Sequence, residues 1–297
     1  MAAARTVTVF APAKINLTLH VTGQRDDGYH VLDSLVVFAD VGDRVEVRAS
    51  DSLDLTVEGP EAAEVPVDAS NLVLKVAQLF DDLPGAAIRL AKELPVASGI
   101  GGGSSDAAAS VRALSCLLDG QRSARTDMQD ALLPLGADIP VCLSPRPARM
   151  RGIGEAIEPI VLPPLEAAVL VNPRVAVRTA DIFRALVSKS NDPMPCHLPR
   201  FADASDLIGW LADQRNDLEA PALVQEPRIG AALGALRDAP DCLLARMSGS
   251  GATCVGLYGS DEAAQEAVRR IEVRWPEWWV RPVSLGDMTD RSMPVVS

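Results

Sequence analysis

Of the 297 residues only 3 are His and 5 are Cys, and no two Cys stand as a C-x-x-C pair. An odd number of scattered thiols (Cys116, Cys142, Cys196, Cys242, Cys254) supports neither a zinc site nor a disulfide frame, so reduced thiols are expected. Positive charge is scarce too: 28 Lys and Arg against 40 Asp and Glu leave a net charge of −12. Nucleic-acid affinity rests on neutralising phosphates with basic side chains, so no nucleic-acid partner is expected, whereas an anionic small ligand needs only local donors. No apolar run reaches the ~18 residues of a membrane span. The longest candidate, Val161 to Val171, is broken by Pro163, Pro164 and Glu166, and no membrane partner is expected. Met1 to Pro12 has neither an apolar stretch with a cleavage site nor an Arg- and Ser-rich transit signature, which points to a cytoplasmic protein. Repeats and low-complexity segments are missing as well. Aromatic residues are few (5 Phe, 4 Trp, 2 Tyr), so the placement of each carries information. The acidic balance leaves monomer and homodimer both open.

What the chain does have is glycine, concentrated in one place. Pro95-Val96-Ala97-Ser98-Gly99-Ile100-Gly101-Gly102-Gly103-Ser104-Ser105-Asp106 runs into Ala107-Ala108-Ala109. Such glycines let backbone N–H groups approach an anion with no Cβ in the way, and Ser104, Ser105 or Asp106 would cap the helix that the alanines begin. A helix starting here aims its free N–H groups and the positive end of its dipole at the loop. A Walker A loop would need Lys where Ser104 stands, and the dinucleotide and kinase-type Gly fingerprints both fail at Ser104. Taken alone, the stretch says phosphate and no more, and a plain Gly-rich surface turn stays open beside it.

Length suggests about two domains of ~150 residues each. In chain order, Val7 to Phe10 reads as a short strand and Ile15, Leu17, Leu19 and Val21 as a half-buried strand with Lys14, Asn16 and His20 on its other face. Asp27-Gly28 is a turn signal. A strand from Val31 to Phe38, a turn at Gly42-Asp43 and a strand from Arg44 to Val47 form a meander. Leu53 to Val57 follows as a strand, Asn71 caps a helix through Leu72, Val76, Leu79 and Phe80, and Ile88 to Leu94 leads into the glycine loop. The helix after the loop carries Ala107, Val111, Leu114 and Leu118 as a one-faced stripe ended by Gly120. A helix from Thr126 or Asp127 closes at Gly136.

Pro163-Pro164 is the expected domain boundary, dividing residues 1–162 from 163–297. Beyond it come a strand (Ala167 to Val171), helices (Thr179 to Val187, Leu207 to Leu211, Pro227 to Arg237), and strands Leu243 to Met247 and Thr253 to Tyr258 around Ser248-Gly249-Ser250-Gly251-Ala252. A helix (Asp261 to Ile271) and a strand (Trp279 to Val283) close the chain. That alternation predicts a split βαβ, ferredoxin-like α+β unit.

Joined together, Pro12-Ala13-Lys14-Ile15-Asn16, Pro95 to Ala108 and Ser248 to Ala252 resemble, in order and spacing, the three motifs of the GHMP kinases, a superfamily of small-molecule ATP kinases. Each motif alone is weak; the ordered triplet is strong. Gly23 to His30, Gly136 to Val141 and Arg151 to Glu155 look like the branch that acts on a cytidine-diphosphate-linked methylerythritol. The match runs from about Lys14 to Tyr258. It implies an N-terminal ribosomal-protein-S5-domain-2-like α/β domain followed by the ferredoxin-like domain, an α+β fold overall. It also implies ATP-dependent phosphorylation of the 2-hydroxyl of a small molecule bearing a cytidine diphosphate group, with ATP as co-substrate and Mg²⁺.

The same resemblance implies roles residue by residue. Lys14 and Asp138 match the catalytic Lys and Asp, and Asn16 falls beside the acceptor. Pro95, Val96, Ala97, Ser98, Gly99, Ile100, Gly101, Gly102, Gly103, Ser104 and Ser105 match the ATP loop, and Asn71 and Lys92 match positions lining the nucleotide site. Tyr29, His30 and Phe183 match positions that hold the cytidine ring. The family commonly has small residues, often Gly, at Ala97-Ser98; Ser98 is expected to donate a hydrogen bond there. Metal ligands are not implied. Without the resemblance, Asp138 reads as a cap before Pro140, Lys14 as a solvated strand end, Tyr29 as an edge-strand residue, and Gly249-Ser250-Gly251 as a hairpin turn. Two other readings remain beside the cytidyl-linked kinase: a non-catalytic binding protein of the same fold, and a kinase of another alcohol such as homoserine or mevalonate.

Overall fold

The computed structural model describes residues 5–80, 83–118 and 126–297. β1 (Thr6–Asn16), β2 (His20–Gln24) and β3 (His30–Ala49) open the chain, followed by β4 (Leu53–Glu58), α1 (Leu72–Ala77), β5 (Ala86–Ala91) and α2 (Gly102–Leu117). α3 (Thr126–Leu132), α4 (Ile139–Cys142), β6 (Ala148–Gly152) and β7 (Ala156–Pro159) complete the first half. The second half runs β8 (Leu165–Asn172), α5 (Thr179–Arg184), α6 (Ala204–Ala212), α7 (Glu219–Gln225), α8 (Pro227–Arg237), β9 (Cys242–Met247) and β10 (Cys254–Tyr258), and ends with α9 (Asp261–Arg274), β11 (Trp279–Gly286) and β12 (Val295–Val296).

One strand organises the sheet. β3 is 20 residues long and pairs with β1, β2, β5, β6 and β11. The expected turn at Gly42-Asp43 does not exist. Gly42 is instead the place where β1 crosses β3 too closely for a side chain: a Cβ there would overlap the Ala11 carbonyl and come within 2.7 Å of Pro12 Cα. The register shift in β1 between Pro12 and Lys14 lies against the same point. The turn signature and the close-approach signature share a composition, and only the partner strand distinguishes them. Nor is Ile15 to Val21 a single half-buried strand. β1 stops at Asn16, β2 starts at His20, and Lys14, Asn16 and His20 are as buried as the apolar residues between them.

β8 to β11 form an all-antiparallel sheet in the order β11-β8-β10-β9, the split βαβ arrangement expected of the second half. Two pairs, Leu285 with Ala39 and Gly286 with Phe38, continue it into β3, so the sheet passes through both halves. The Pro163-Pro164 doublet lies between β7 and β8, and β12 returns to pair with β1. α7, unforeseen in the sequence, is a short turn of helix packed beside α8.

The core has three clusters. α1 and α2 cover one face of β1, β3 and β5 through Val73, Val76, Val111 and Leu114 against Val9, Phe38, Val45 and Ile88. α8 and α9 cover β8 to β10, and Leu19 and Val21 from the N-terminal segment join that cluster. Ile15, Leu35, Leu170, Val255 and Trp279 form a third cluster, closed by Leu207 and Leu211 of α6. α2 is not the one-faced helix its stripe suggested; from Ser105 to Val111 every residue is buried, and small side chains let it sink into the molecule. Gly120, expected to end it, lies outside the described residues. No helix among the described residues is long and apolar enough to cross a membrane, and none of the five cysteines is paired.

Candidate active site

The three sequence motifs meet at one point, and they meet through main-chain atoms. The Lys14 N–H donates to Ile100 O (2.9 Å) and the Thr253 N–H to Ser98 O (3.0 Å). Ser248 Oγ donates to Gly99 O (3.1 Å) and accepts from the Asn16 N–H (3.1 Å). Asn216 Nδ2 holds the second glycine loop by donating to Met247 O (2.9 Å) and Gly249 O (2.8 Å). The first loop takes left-handed backbone at Ala97 (φ 50°), Gly99 (φ 75°) and Gly101 (φ 63°). Ser98 Oγ donates to Pro95 O (2.6 Å), so this hydroxyl braces the loop on itself.

α2 begins earlier than its serines suggested. Its cap position is Gly101, which offers no side chain, and the first helical bond runs from the Ser105 N–H to Gly101 O (2.8 Å). The N–H groups of Gly102, Gly103 and Ser104 precede that bond, and a 16-residue helix adds its dipole behind them. Such an end favours phosphate. A cavity of about 550 Å³ opens here, a size suited to a small molecule. Its lining includes Gly101 to Ser104, Lys14, Asn16, Asp138, Asn71 and Phe183.

Lys14 Nζ and Asp138 Oδ2 stand 2.8 Å apart, with the lysine buried and the carboxylate 37% exposed. Asp138 occupies the cap position of α4 but makes no capping bond, so its carboxylate is left to Lys14 and the cavity. Lys14 also packs beneath the loop: a Cβ on Gly101 would lie 3.2 Å from Lys14 Cβ. Asn16 Nδ2 donates to Ser34 Oγ (2.8 Å), while Asn16 Oδ1 is buried without a partner. A buried carbonyl oxygen left open in a cavity wall is an acceptor for a ligand hydroxyl.

Asn71 and Lys92 line the cavity, but both are committed to the fold. Asn71 Oδ1 accepts from the Val73 N–H (2.8 Å) to cap α1, and its Nδ2 donates to Pro66 O (2.7 Å). Lys92 Nζ donates to Asp43 and, at 2.8 Å, to Asp106 Oδ2. Two of the three donors on its ammonium are therefore engaged by carboxylates. Asp43 in turn accepts from the Glu93 (2.6 Å) and Leu94 (2.9 Å) N–H groups. Burial alone would depress the Lys92 ammonium, yet the carboxylates of Asp106 and Asp43 hold it above its ordinary value. Burial, with Asp43 alongside, pushes the Asp106 carboxyl well above the usual carboxylate range. This cluster went unread in the sequence, where Asp43 carried only a turn signal and Asp106 only a capping one.

The aromatic positions are brought together in part. His30 and Phe183 stack with ring centroids 4.7 Å apart and planes at 22°. Burial, then the nearby Lys189 charge, lowers the His30 pKa, and its Nε2 has no partner. Tyr29 is 59% exposed, and neither it nor His30 lines the cavity, nor do Ile100 and Ser105, which are buried behind the loop. Tyr29 instead closes the hairpin end, its N–H donating to Asp27 Oδ1 (3.1 Å) and its carbonyl accepting from the Arg25 N–H (2.8 Å).

Comparison with known proteins agrees with this architecture. Residues 71–145 match the GHMP kinases N terminal domain and residues 196–276 the GHMP kinases C terminal domain. A 4-diphosphocytidyl-2-C-methyl-D-erythritol kinase of Roseobacter denitrificans is 53% identical over 291 residues, 98% of this chain and 97% of the relative. One of Ruegeria pomeroyi is 56% identical over 277 residues, 92% of this chain and 97% of the relative. A crystal structure of a 4-(cytidine 5'-diphospho)-2C-methyl-D-erythritol kinase superposes with a TM-score of 0.75 at 32% identity, covering 94% of this chain and 99% of that one. A homoserine kinase from Cytophaga hutchinsonii shares the fold, with a TM-score of 0.66 at 22% identity over 98% of this chain and 97% of that one.

Proposed function

We propose, since the chain belongs to the 4-diphosphocytidyl-2-C-methyl-D-erythritol kinases of the GHMP kinase family, that its cavity phosphorylates the 2-hydroxyl of that alcohol. ATP is the phosphoryl donor, the products are the 2-phosphate and ADP, and the step serves non-mevalonate isoprenoid precursor synthesis. The observation that carries this reading is the Lys14–Asp138 pair, 2.8 Å apart and set against the glycine loop.

Phosphoryl transfer asks a protein for alignment and charge neutralisation more than for covalent chemistry. The ATP phosphates lie on the N–H groups at the start of α2 and within the loop from Pro95 to Ser105. The substrate 2-hydroxyl oxygen forms a bond to the γ-phosphorus while the bond to the β,γ-bridging oxygen breaks, and the hydroxyl proton passes to Asp138. Lys14 supplies positive charge where the transition state is negative. Asn16, through its open Oδ1, orients the acceptor alcohol. Phe183, backed by the stacked ring of His30, offers a flat face for the cytosine ring, with Tyr29 next to His30 on the hairpin. A neutral His30 leaves a ring nitrogen for the polar edge of the base.

Mg²⁺ fits this site only as a partner of the nucleotide. Among the described residues no three His, Cys, Asp or Glu gather into a metal cage, and Mg²⁺ characteristically takes one or two protein oxygens with phosphate and water. The hydroxyl of Ser104, in the cavity lining, would be the protein oxygen that holds it, which leaves Asp138 to the acceptor proton. When bound, it neutralises charge on the transferring phosphate.

Asp138→Asn tests the reading, because it keeps the shape and one acceptor oxygen but cannot take a proton. The single-turnover rate should fall ~10²- to 10⁴-fold with substrate affinity little changed. Lys14→Met should also slow turnover, and the double variant should lose far less than the two losses combined, as residues acting as a unit are not additive. An Asn variant within a few-fold of the parent rate removes Asp138 as the proton acceptor.

A further inference from the structure

Arg112 lies on α2 eight residues beyond Ser104, about 12 Å along the helix, and no carboxylate among the described residues pairs with it. Its Nη1 donates to the carbonyl oxygens of Cys142 (2.7 Å) and Leu143 (3.3 Å), and its Nη2 to that of Phe10 (3.2 Å). Nε is buried with no partner. Burial lowers the guanidinium pKa to about 10. An inward-turned cation with no counter-ion is rare and costly, and an apolar side chain on α2 would avoid that cost.

What the three carbonyls share is their attachment to the active site. Cys142 and Leu143 close α4, and Asp138 is its cap at the other end. α4 is only 4 residues long, with a single weak i→i−4 bond from the Cys142 N–H to Asp138 O (3.4 Å). One turn of helix does not hold its own geometry. Phe10 is on β1, four residues before Lys14. Arg112 itself belongs to the helix whose N-terminus faces the phosphates. One side chain therefore joins the element carrying the carboxylate, the element carrying the lysine and the element carrying the phosphate loop.

We propose that Arg112 is a positioning residue for phosphoryl transfer, fixing the Lys14–Asp138 pair relative to the N-terminus of α2. The proposal rests on the reading of Asp138 as proton acceptor. Arg112 touches no substrate, so its loss leaves binding of ATP and of the cytidyl alcohol intact. It lets α4 shift against the loop, and displacements of ~1 Å from the productive geometry cost on the order of 10²-fold in rate.

The test uses the full chain with Arg112→Lys, which keeps a charge but gathers its donors on one nitrogen in place of the two that reach α4 and β1, and Arg112→Met, which keeps the stem and removes the charge. Each is made in the parent and in the Asp138→Asn background, with thermal melts to confirm folding. In the parent background kcat should fall about 10- to 100-fold, more for Met than for Lys, with KM for both substrates within about two-fold. In the Asp138→Asn background the same substitutions should cost little further, because the group they position is already gone. A folded variant with parent kcat overturns the proposal, and so does an equal loss in both backgrounds. If neither variant folds, Arg112 is a folding determinant and the proposal is wrong. If Asp138→Asn alone keeps the parent rate, the functional reading fails, and this inference fails with it.

Discussion

A Cβ on Gly99 would lie 2.5 Å from the carbonyl oxygen of Gly251, main chain against main chain. The two glycine-rich loops, 152 residues apart in sequence, touch at this point, and neither can yield by turning a side chain. Gly99→Ala would also place a side chain at φ 75°, with Ser248 O 2.7 Å from the new carbon. A stability loss on the order of 1–3 kcal/mol is expected from the strained backbone, together with a rise in KM for ATP. A thermal melt and ATP kinetics check it, and an unchanged melting temperature would show that the loops part freely.

Gly103 makes the contrasting case. A Cβ there meets only Leu72 Cδ1, at 3.7 Å, and its backbone is helical. Gly103→Val should fold normally yet raise the KM for ATP at least ~10-fold, because phosphates resting on helix N–H groups need a bare backbone. The ratio of Michaelis constants for ATP and for the cytidyl substrate reads this out; equal changes in both would place the phosphates elsewhere.

Lys92→Met should be among the most destabilising substitutions. It strands the carboxylates of Asp43 and Asp106, both almost wholly buried, and breaking a buried ion pair from one side costs about 3–5 kcal/mol. Urea denaturation measures the loss. Adding Asp106→Asn should recover part of it, and no recovery would mean that Asp106 is already neutral in the parent.

Phe183→Ala should weaken binding of the cytidyl substrate by on the order of 1–3 kcal/mol, the range for stacking a base on an aromatic ring. The KM for ATP should stay put. Tyr29→Ala, at an exposed ring outside the cavity lining, should lose less than Phe183→Ala. Isothermal titration with each substrate distinguishes them, and a larger loss for Tyr29 would mean that the hairpin folds over the base.

Acid should destabilise the protein through two histidines. Burial, reinforced by Arg215, lowers the pKa of His20, and burial, reinforced by Lys189, lowers that of His30; both ordinarily sit at 6.5. Below pH 6.5 the unfolded chain takes up protons that the folded one refuses, so stability is full above that pH and declines as pH falls toward the folded values. His20 Nδ1 lies 3.2 Å from Asp192 O, and His20→Gln keeps a polar group there without the titration. Its melting temperature should change less than that of the parent between pH 7.5 and 5.5; parallel curves would put the acid sensitivity elsewhere.

Much of this protein is local in origin and therefore legible in its residues. Pro227 at the first turn of α8, the glycine turn between β9 and β10, and the spacing of strands and helices after Pro163-Pro164 lead to the observed antiparallel order. Gly99 and Gly101 mark the loop because its left-handed backbone suits glycine at those positions, and the ordered motifs identify the kinase family. What tertiary structure alone decided concerns partners distant in sequence. Gly42-Asp43 has the composition of a turn, yet the crossing of β1 makes it mid-strand and turns Asp43 inward to Lys92. Asn16 acquires an open carbonyl only because Ser34 takes its amide, and Arg112 becomes a junction only because the end of α4 and the middle of β1 lie where its guanidinium reaches. A side chain's propensity is set by its own bonds and those of its near neighbours. Its burial and its hydrogen-bond partners are set by which backbone arrives opposite, and no local pattern of residues encodes that.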